Sequence, residues 1–213
     1  MNNLLFLMGI LSFLGLEPNG LSPKETKLVQ QLDFSIELMN ELKKATKSTL
    51  TQLPAIEKET ADVLDNFHEG IQSEVPDDKA TSILNRLKEK FRAEGYLIFV
   101  FTQESETKFI GVIQGTNDLD ILRYRRTNGI NFDLENEDIV SKISAWNAQF
   151  GLTVTGCGRD WVELQFMQLP KDLDEFASEV YDFCPDIVDQ GVGEVANLKP
   201  MIEEMHGIWL WWD

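Results

Sequence analysis

The residues best suited to chemistry are aspartates near the C-terminus. Asp182, Asp186 and Asp189 recur at i, i+4 and i+7, with Gly191 and Gly193 just beyond, and Asp160 stands upstream beside Trp161. Carboxylates gathered where a helix meets a loop are hard oxygen ligands suited to Mg²⁺ or Ca²⁺. Pro185 interrupts the run, so the three need not share a face, and no twelve-residue calcium loop is present. Helix-end acids that accept backbone N–H groups, or pair with an arginine, are the commoner use of this pattern. Asp160 and Glu163 form a second acid pair of a type that can do general acid–base work.

Other catalytic routes find less support. His68 and His206 are the only histidines, and neither has a partner at metal-ligand spacing. Cys157 or Cys184 with His206 is an arithmetical Cys–His pair, which inert thiols and a surface imidazole explain more simply. The chain has no GxSxG elbow, P-loop, HExxH, or GxGxxG after a strand, and Gly191-Val192-Gly193 is too short to cradle a phosphate. No catalytic, cofactor-binding or metal-ligating residue is assigned on these grounds.

The elements that must position these residues follow from periodicity. Ser22-Pro23-Lys24-Glu25 offers an N-cap, a first-turn proline and a first-turn acid, and Leu28, Leu32, Ile36, Met39 and Leu42 continue one apolar helix face to about Ser48. The spacing of Ile56, Val63, Leu64 and Phe67 predicts a second helix from Pro54 to Gly70. A third carries Ile83, Leu84, Leu87 and Phe91 and ends at Gly95. Residues 96–101 and 109–113 read as strands joined by a turn around Ser105. Helices follow over 118–124, 137–150, 170–183 and 195–205, with strands at 152–155, 161–166 and 208–212. On the last strand Trp209 and Trp211 face one side, and Leu210 and Trp212 the other. The sum is an α+β protein: a helical region over residues 1–75, packed with a mixed or antiparallel sheet of about five strands flanked by helices in residues 76–213.

Charge narrows the partners. The net charge is −17, and residues 132–213 hold 17 acids against 4 bases. Such a surface repels phosphate backbones and argues against nucleic acid, while it steers basic proteins to productive encounter. Acidity also serves solubility alone. The basic exception is Arg123, Arg125 and Arg126, a cluster suited to oppose an acidic face of the same protein. Two cysteines do not make a disulfide framework and read as free thiols in a reducing compartment. Leu4 to Leu16 is an apolar run, too short to span a bilayer comfortably and of signal-core length. It has no preceding Lys or Arg and no small-x-small site after it. The expectation is a cytoplasmic protein without a stable membrane span, or a periplasmic one if residues 4–16 act as a signal or anchor.

Three pieces then occur in order: Thr127-Asn128-Gly129 followed by Asp133-Leu134-Glu135 and Glu137-Asp138; Gly158-x-Asp160-Trp161; and Phe183-Cys184-Pro185-Asp186-Ile187-Val188-Asp189-Gln190-Gly191. Leu210-Trp211-Trp212-Asp213 closes the chain. Over residues 117–213 the sequence resembles the DUF4253 domain family. The resemblance implies a small bacterial protein, and for some members an immunity protein of a polymorphic toxin system. On that footing the chain is expected to be a non-catalytic acidic protein that occludes a cognate toxin, of secretion-system or Rhs type, with a basic surface. Asp160, Trp161, Asp174, Glu175, Asp182, Asp186, Asp189, Glu194, Trp211 and Trp212 are its candidate contacts, Trp being favoured at binding hot spots. The alternative is a small metal-dependent enzyme or metal-binding domain built on Asp160, Asp182, Asp186 and Asp189.

Overall fold

The computed structural model describes residues 20–103 and 107–213. The Leu4–Leu16 run and the Ser105 turn lie outside the described residues. Helices α1 (Pro23–Gln31) and α2 (Ile36–Thr46) precede strands β1 (Leu50–Ile56) and β2 (Val63–Val75). Then come α3 (Asp77–Ala93), β3 (Tyr96–Thr102), β4 (Lys108–Gln114), α4 (Leu119–Arg125) and α5 (Asn136–Phe150). The chain closes through β5 (Leu152–Cys157), β6 (Trp161–Phe166), α6 (Leu173–Phe183), a π-helical turn (Ile187–Val192), α7 (Leu198–Met205) and β7 (Gly207–Trp211).

The α+β class holds, with seven strands among the described residues in place of about five, in the order β1-β2-β4-β3-β5-β6-β7. Only β3 and β5 pair in parallel; every other neighbouring pair is antiparallel. Two expectations are corrected. Residues 54–70 are no helix: Pro54 pairs with Phe67 and Ile56 with Val63 across the β1–β2 ladder. Pro54 sits between register shifts on an edge strand, where its missing N–H costs no central ladder bond. The turn is set by the Glu57 carboxylate, whose Oε2 accepts the N–H of Glu59 and of Thr60 at 2.6 Å each. The helix expected from Ser22 to Ser48 is two helices, broken where Asp33 takes φ 58° and Ser35 caps α2 by accepting from Leu38 N–H at 3.3 Å. β1 and β2, expected within the N-terminal helical region, are instead strands of the one sheet.

Two cores lie on opposite faces of this sheet. On one, Val29, Leu38, Met39, Leu42, Leu84 and Phe91 from α1–α3 pack on Ile98 and Val100 of β3 and Ile110 and Val112 of β4. On the other, Leu122, Ile143, Trp146, Phe176, Val180 and Ile202 from α4–α7 pack on Leu97, Phe99, Val154, Leu164, Ile208 and Leu210. β3 is therefore apolar on both sides, as a central strand must be. The two layers are unequal: no residue of β5, β6 or β7 enters the α1–α3 core. On that half of the sheet this face carries no packed helical core and is only bordered by α3, whose Lys88 bonds Gln165 of β6.

Candidate functional site

The uncovered half-face presents a short pattern. Strand alternation sends Val162, Leu164 and Phe166 into the α4–α7 core, so Trp161, Glu163 and Gln165 point the other way. On and just after β7, Ile208, Leu210 and Trp212 are core and Trp209 faces outward with the β6 set, as the sequence pattern predicts; Trp211, half-buried, also packs against the α4–α7 core. In the ladder Glu163 stands opposite Trp209 and Trp161 opposite Trp211. Directly opposed side chains in such a pair are near neighbours. Trp161 and Trp209 meet edge to face with centroids 6.5 Å apart, and Trp209 lies 4.8 Å from Trp211.

Beside this aromatic row runs a cleft of about 890 Å³. Asp77 and Thr81 of α3 form one wall, Trp161, Glu163, Met205 and Trp209 the other, and Lys108 and Asp160 stand at its margins. Trp209 is 46 % exposed and Met205 45 %, a large apolar surface for one spot on a soluble protein. Burial raises the pKa of Glu163, against the pull of the Lys108 and Lys88 charges and a hydrogen bond with Thr155. Neither lysine pairs with it: Lys108 Nζ sits 2.6 Å from Asp77 and Lys88 bonds the Gln165 amide. Among the described residues Glu163 has no ion pair of its own; the Lys108 and Lys88 charges act on it without contact, and it stands beside the indoles of Trp161 and Trp209.

The motifs around the cleft hold it in shape. Trp161 packs against Gly158 with no room for a β-carbon there, rests on Gly156, and donates Nε1–H to Thr102 Oγ1 at 3.3 Å. Thr127 Oγ1 donates to the Gly158 carbonyl at 2.7 Å, Asn128 N–H to that of Arg159 at 2.8 Å, and Trp212 N–H to that of Asp160 at 2.9 Å. Gly129 similarly seats Trp212, and Gly191 seats Trp211; a β-carbon at either would come within 2.8 Å of the ring. Arg125, 2 % exposed, donates to the carbonyls of Thr102 and Ala61.

Of the residues singled out from sequence, the cleft gathers Asp160, Trp161 and Glu163, with Trp211 beside them. It does not gather the rest. Asp186 is 6 % exposed and accepts Asp213 N–H at 2.8 Å and the Gln190 amide at 3.0 Å, so its work is internal. Trp212, 2 % exposed, donates Nε1–H to the Phe183 carbonyl. These two are corrected from contact residues to framework. Asp189 accepts from the Tyr181 hydroxyl, Asp174 pairs with Lys199 at 3.0 Å, and Asp182, Glu175 and Glu194 are exposed. α6, which carries Asp174 and Glu175, lies on the other side of the sheet from the cleft. Among the described residues no three His, Cys, Asp or Glu side chains are grouped to hold a metal ion, and no helix is long and apolar enough to cross a membrane. In the basic cluster Arg123 pairs with Asp120 at 2.8 Å, while Arg125 is buried. Trp209, Met205 and Asp77 were missed as site residues; Trp209 was signalled by strand alternation, the other two by nothing local.

No curated protein and no solved structure matches the chain. The family model for DUF4253, a domain of unknown function, matches residues 109–213, from β4 through the last tryptophans. The glycine–tryptophan seats and the cleft's β6–β7 wall all fall within that span, and residues 109–213 of this chain belong to the DUF4253 family.

Proposed function

We propose that this is a non-catalytic acidic binding protein whose working surface is the open face of β5–β6–β7, and that its partner is a protein with a basic surface. The observation that carries the reading is the cleft itself: exposed Trp209 opposite Glu163, a carboxylate with no cation of its own among the described residues. An aromatic anchor beside a carboxylate that has no ion pair is a docking site for positive charge. The surplus of 17 acids over 4 bases in residues 132–213 would steer such a partner and repel nucleic acid. The family resemblance supplies the biological form of the proposal, an immunity protein that occludes a cognate bacterial toxin. Buried, unbridged Cys157 and Cys184 suit a reducing compartment. The metal-dependent alternative has no comparable support, because its four aspartates serve separate parts of the structure.

The test is purification of the chain with the product of its adjacent gene, followed by titration calorimetry and association kinetics. A one-to-one complex that silences that product's toxicity is expected, with association slowed by salt and by Asp160→Lys. Asp174→Lys, on the far side of the sheet, should slow it much less. Absence of a complex, or equal sensitivity to the two reversals, would remove the reading.

A further inference from the structure

The cleft's chemistry is more selective than a preference for positive charge. Its wall alternates indole and carboxylate: Trp161 and Glu163 on β6, with Trp209 across the ladder from Glu163 and Trp211 across from Trp161. A cation entering here meets two indoles 6.5 Å apart in an edge-to-face pair, with Glu163 directly across the ladder from Trp209 and Asp160 also in the lining. Thr102 and Gln103 line it too, the Thr102 hydroxyl accepting Trp161 Nε1–H.

An ammonium group is compact and strongly hydrated; to approach indole it must give up water that a single carboxylate replaces only in part. A guanidinium is planar and weakly hydrated. It can stack a face on indole while its edge donates to a carboxylate, so both features of the wall are used at once. The cations already near the cleft do not fill this role. Lys108 is held by Asp77, Lys88 by Gln165, and Arg159, next to Asp160, reaches away to Asp62 at 3.2 Å. Charge complementarity therefore selects a group brought from outside.

We propose that the cleft is an arginine-recognition site that takes one guanidinium of a partner protein, stacked against Trp209 and Trp161 and bound by Glu163. The inference rests on the binding reading above and names the partner chemistry it requires. Glu163 acts as the specificity residue, because the indoles alone would accept any flat apolar group.

The probe is a short arginine-rich peptide, with its lysine and citrulline counterparts, titrated into the intact protein while the indole N–H resonances are followed by NMR. Saturable shifts of the Trp161 and Trp209 signals with the arginine peptide are expected. Lysine should bind about tenfold more weakly and neutral citrulline should not bind, given the usual worth of a partly desolvated cation–π contact. Glu163→Gln, which keeps shape and removes charge, should weaken arginine binding about tenfold, as should Trp209→Ala at an exposed position. Thermal melts of both variants establish that they remain folded. Equal binding of citrulline, or indifference to Glu163→Gln, overturns the proposal. A complex with the adjacent gene product that ignores both variants would leave the binding reading standing and refute the arginine cleft. Arginine binding without any such complex would do the reverse.

Discussion

Trp161 packs so closely onto Gly158 that a β-carbon at the glycine would overlap its indole nitrogen. The pair sits on the β5–β6 hairpin, and the same ring donates to Thr102 on β3, so it ties the turn to the centre of the sheet. The Gly129–Trp212 and Gly191–Trp211 pairs repeat the device on either side of β7. The scattered glycines and tryptophans of this part of the chain are thus matched halves of one packing scheme.

Gly158→Ala should therefore displace Trp161, break its bond to Thr102 and destabilise the fold by about 1–3 kcal/mol, the usual cost of overpacking. In a Trp161→Ala background the same change should cost much less, since the clashing ring is gone. Denaturant unfolding of the four proteins in that cycle gives the coupling directly. Additive effects would show that Gly158 is required for some other reason.

Cys157 and Cys184 should resist thiol reagents for as long as the fold persists. Burial pushes both thiols up to about 12, so almost no thiolate forms at neutral pH. Cys184 also spends its S–H on the Trp211 carbonyl at 2.9 Å. Labelling should follow global unfolding, with both sites reacting together as denaturant rises. Rapid labelling of either under native conditions would contradict this.

Glu25 controls the acid stability of the N-terminal layer. Its Oε1 receives Lys43 Nζ at 2.7 Å and Leu50 N–H at 2.8 Å, and its Oε2 receives Ser22 N–H at 2.8 Å. Burial alone would raise its pKa, but these donors outweigh it and hold the carboxyl at about 2 rather than 4.5. A pKa depressed by folding gives stability that is complete above the unfolded value and is lost as pH falls from 4.5 toward 2. Glu25→Gln should cost about 2–3 kcal/mol at neutral pH and flatten the stability curve across that window. Unfolding measured against pH for both proteins checks this; parallel acid limbs would count against the assignment.

The parts of the fold legible in sequence are those set by local pattern. The runs Tyr96–Thr102 and Lys108–Gln114 and the alternation of Trp161–Phe166 needed no distant partner to be read as strands. Residues 54–70 misled because Ile56, Val63, Leu64 and Phe67 fall at helical spacing by coincidence. The hairpin they form depends on Glu57 folding onto Glu59 and Thr60, on Ala61 at φ 59°, and on Leu53 and Ile71 finding cores far along the chain. The site was half legible for a similar reason. Alternation separates Trp209 and Trp211 from Trp212, but which side is open depends on the α1–α3 core ending at β3, with only α3 bordering β6 beyond it. That boundary is a property of strand order, which no local window contains.

The two tryptophans Trp209 and Trp212, three residues apart, should separate binding from stability. Trp212 is 2 % exposed, lies edge to face with Phe183 at 5.4 Å, and is anchored through both its backbone and its indole N–H. Trp212→Ala removes a filled core position and the indole N–H bond to the Phe183 carbonyl, while the backbone bond to Asp160 remains, and should cost about 3–5 kcal/mol. Trp209 leaves 46 % of its surface to solvent and makes only ring contacts with Trp161 and Trp211. Trp209→Ala should change stability by about 1 kcal/mol or less, while weakening capture of the arginine peptide. Melting temperatures and peptide titrations on the two variants form a crossed experiment. A stable Trp212→Ala protein, or a Trp209→Ala protein that unfolds, would mean that the inner and outer faces of β7 have been assigned the wrong way round.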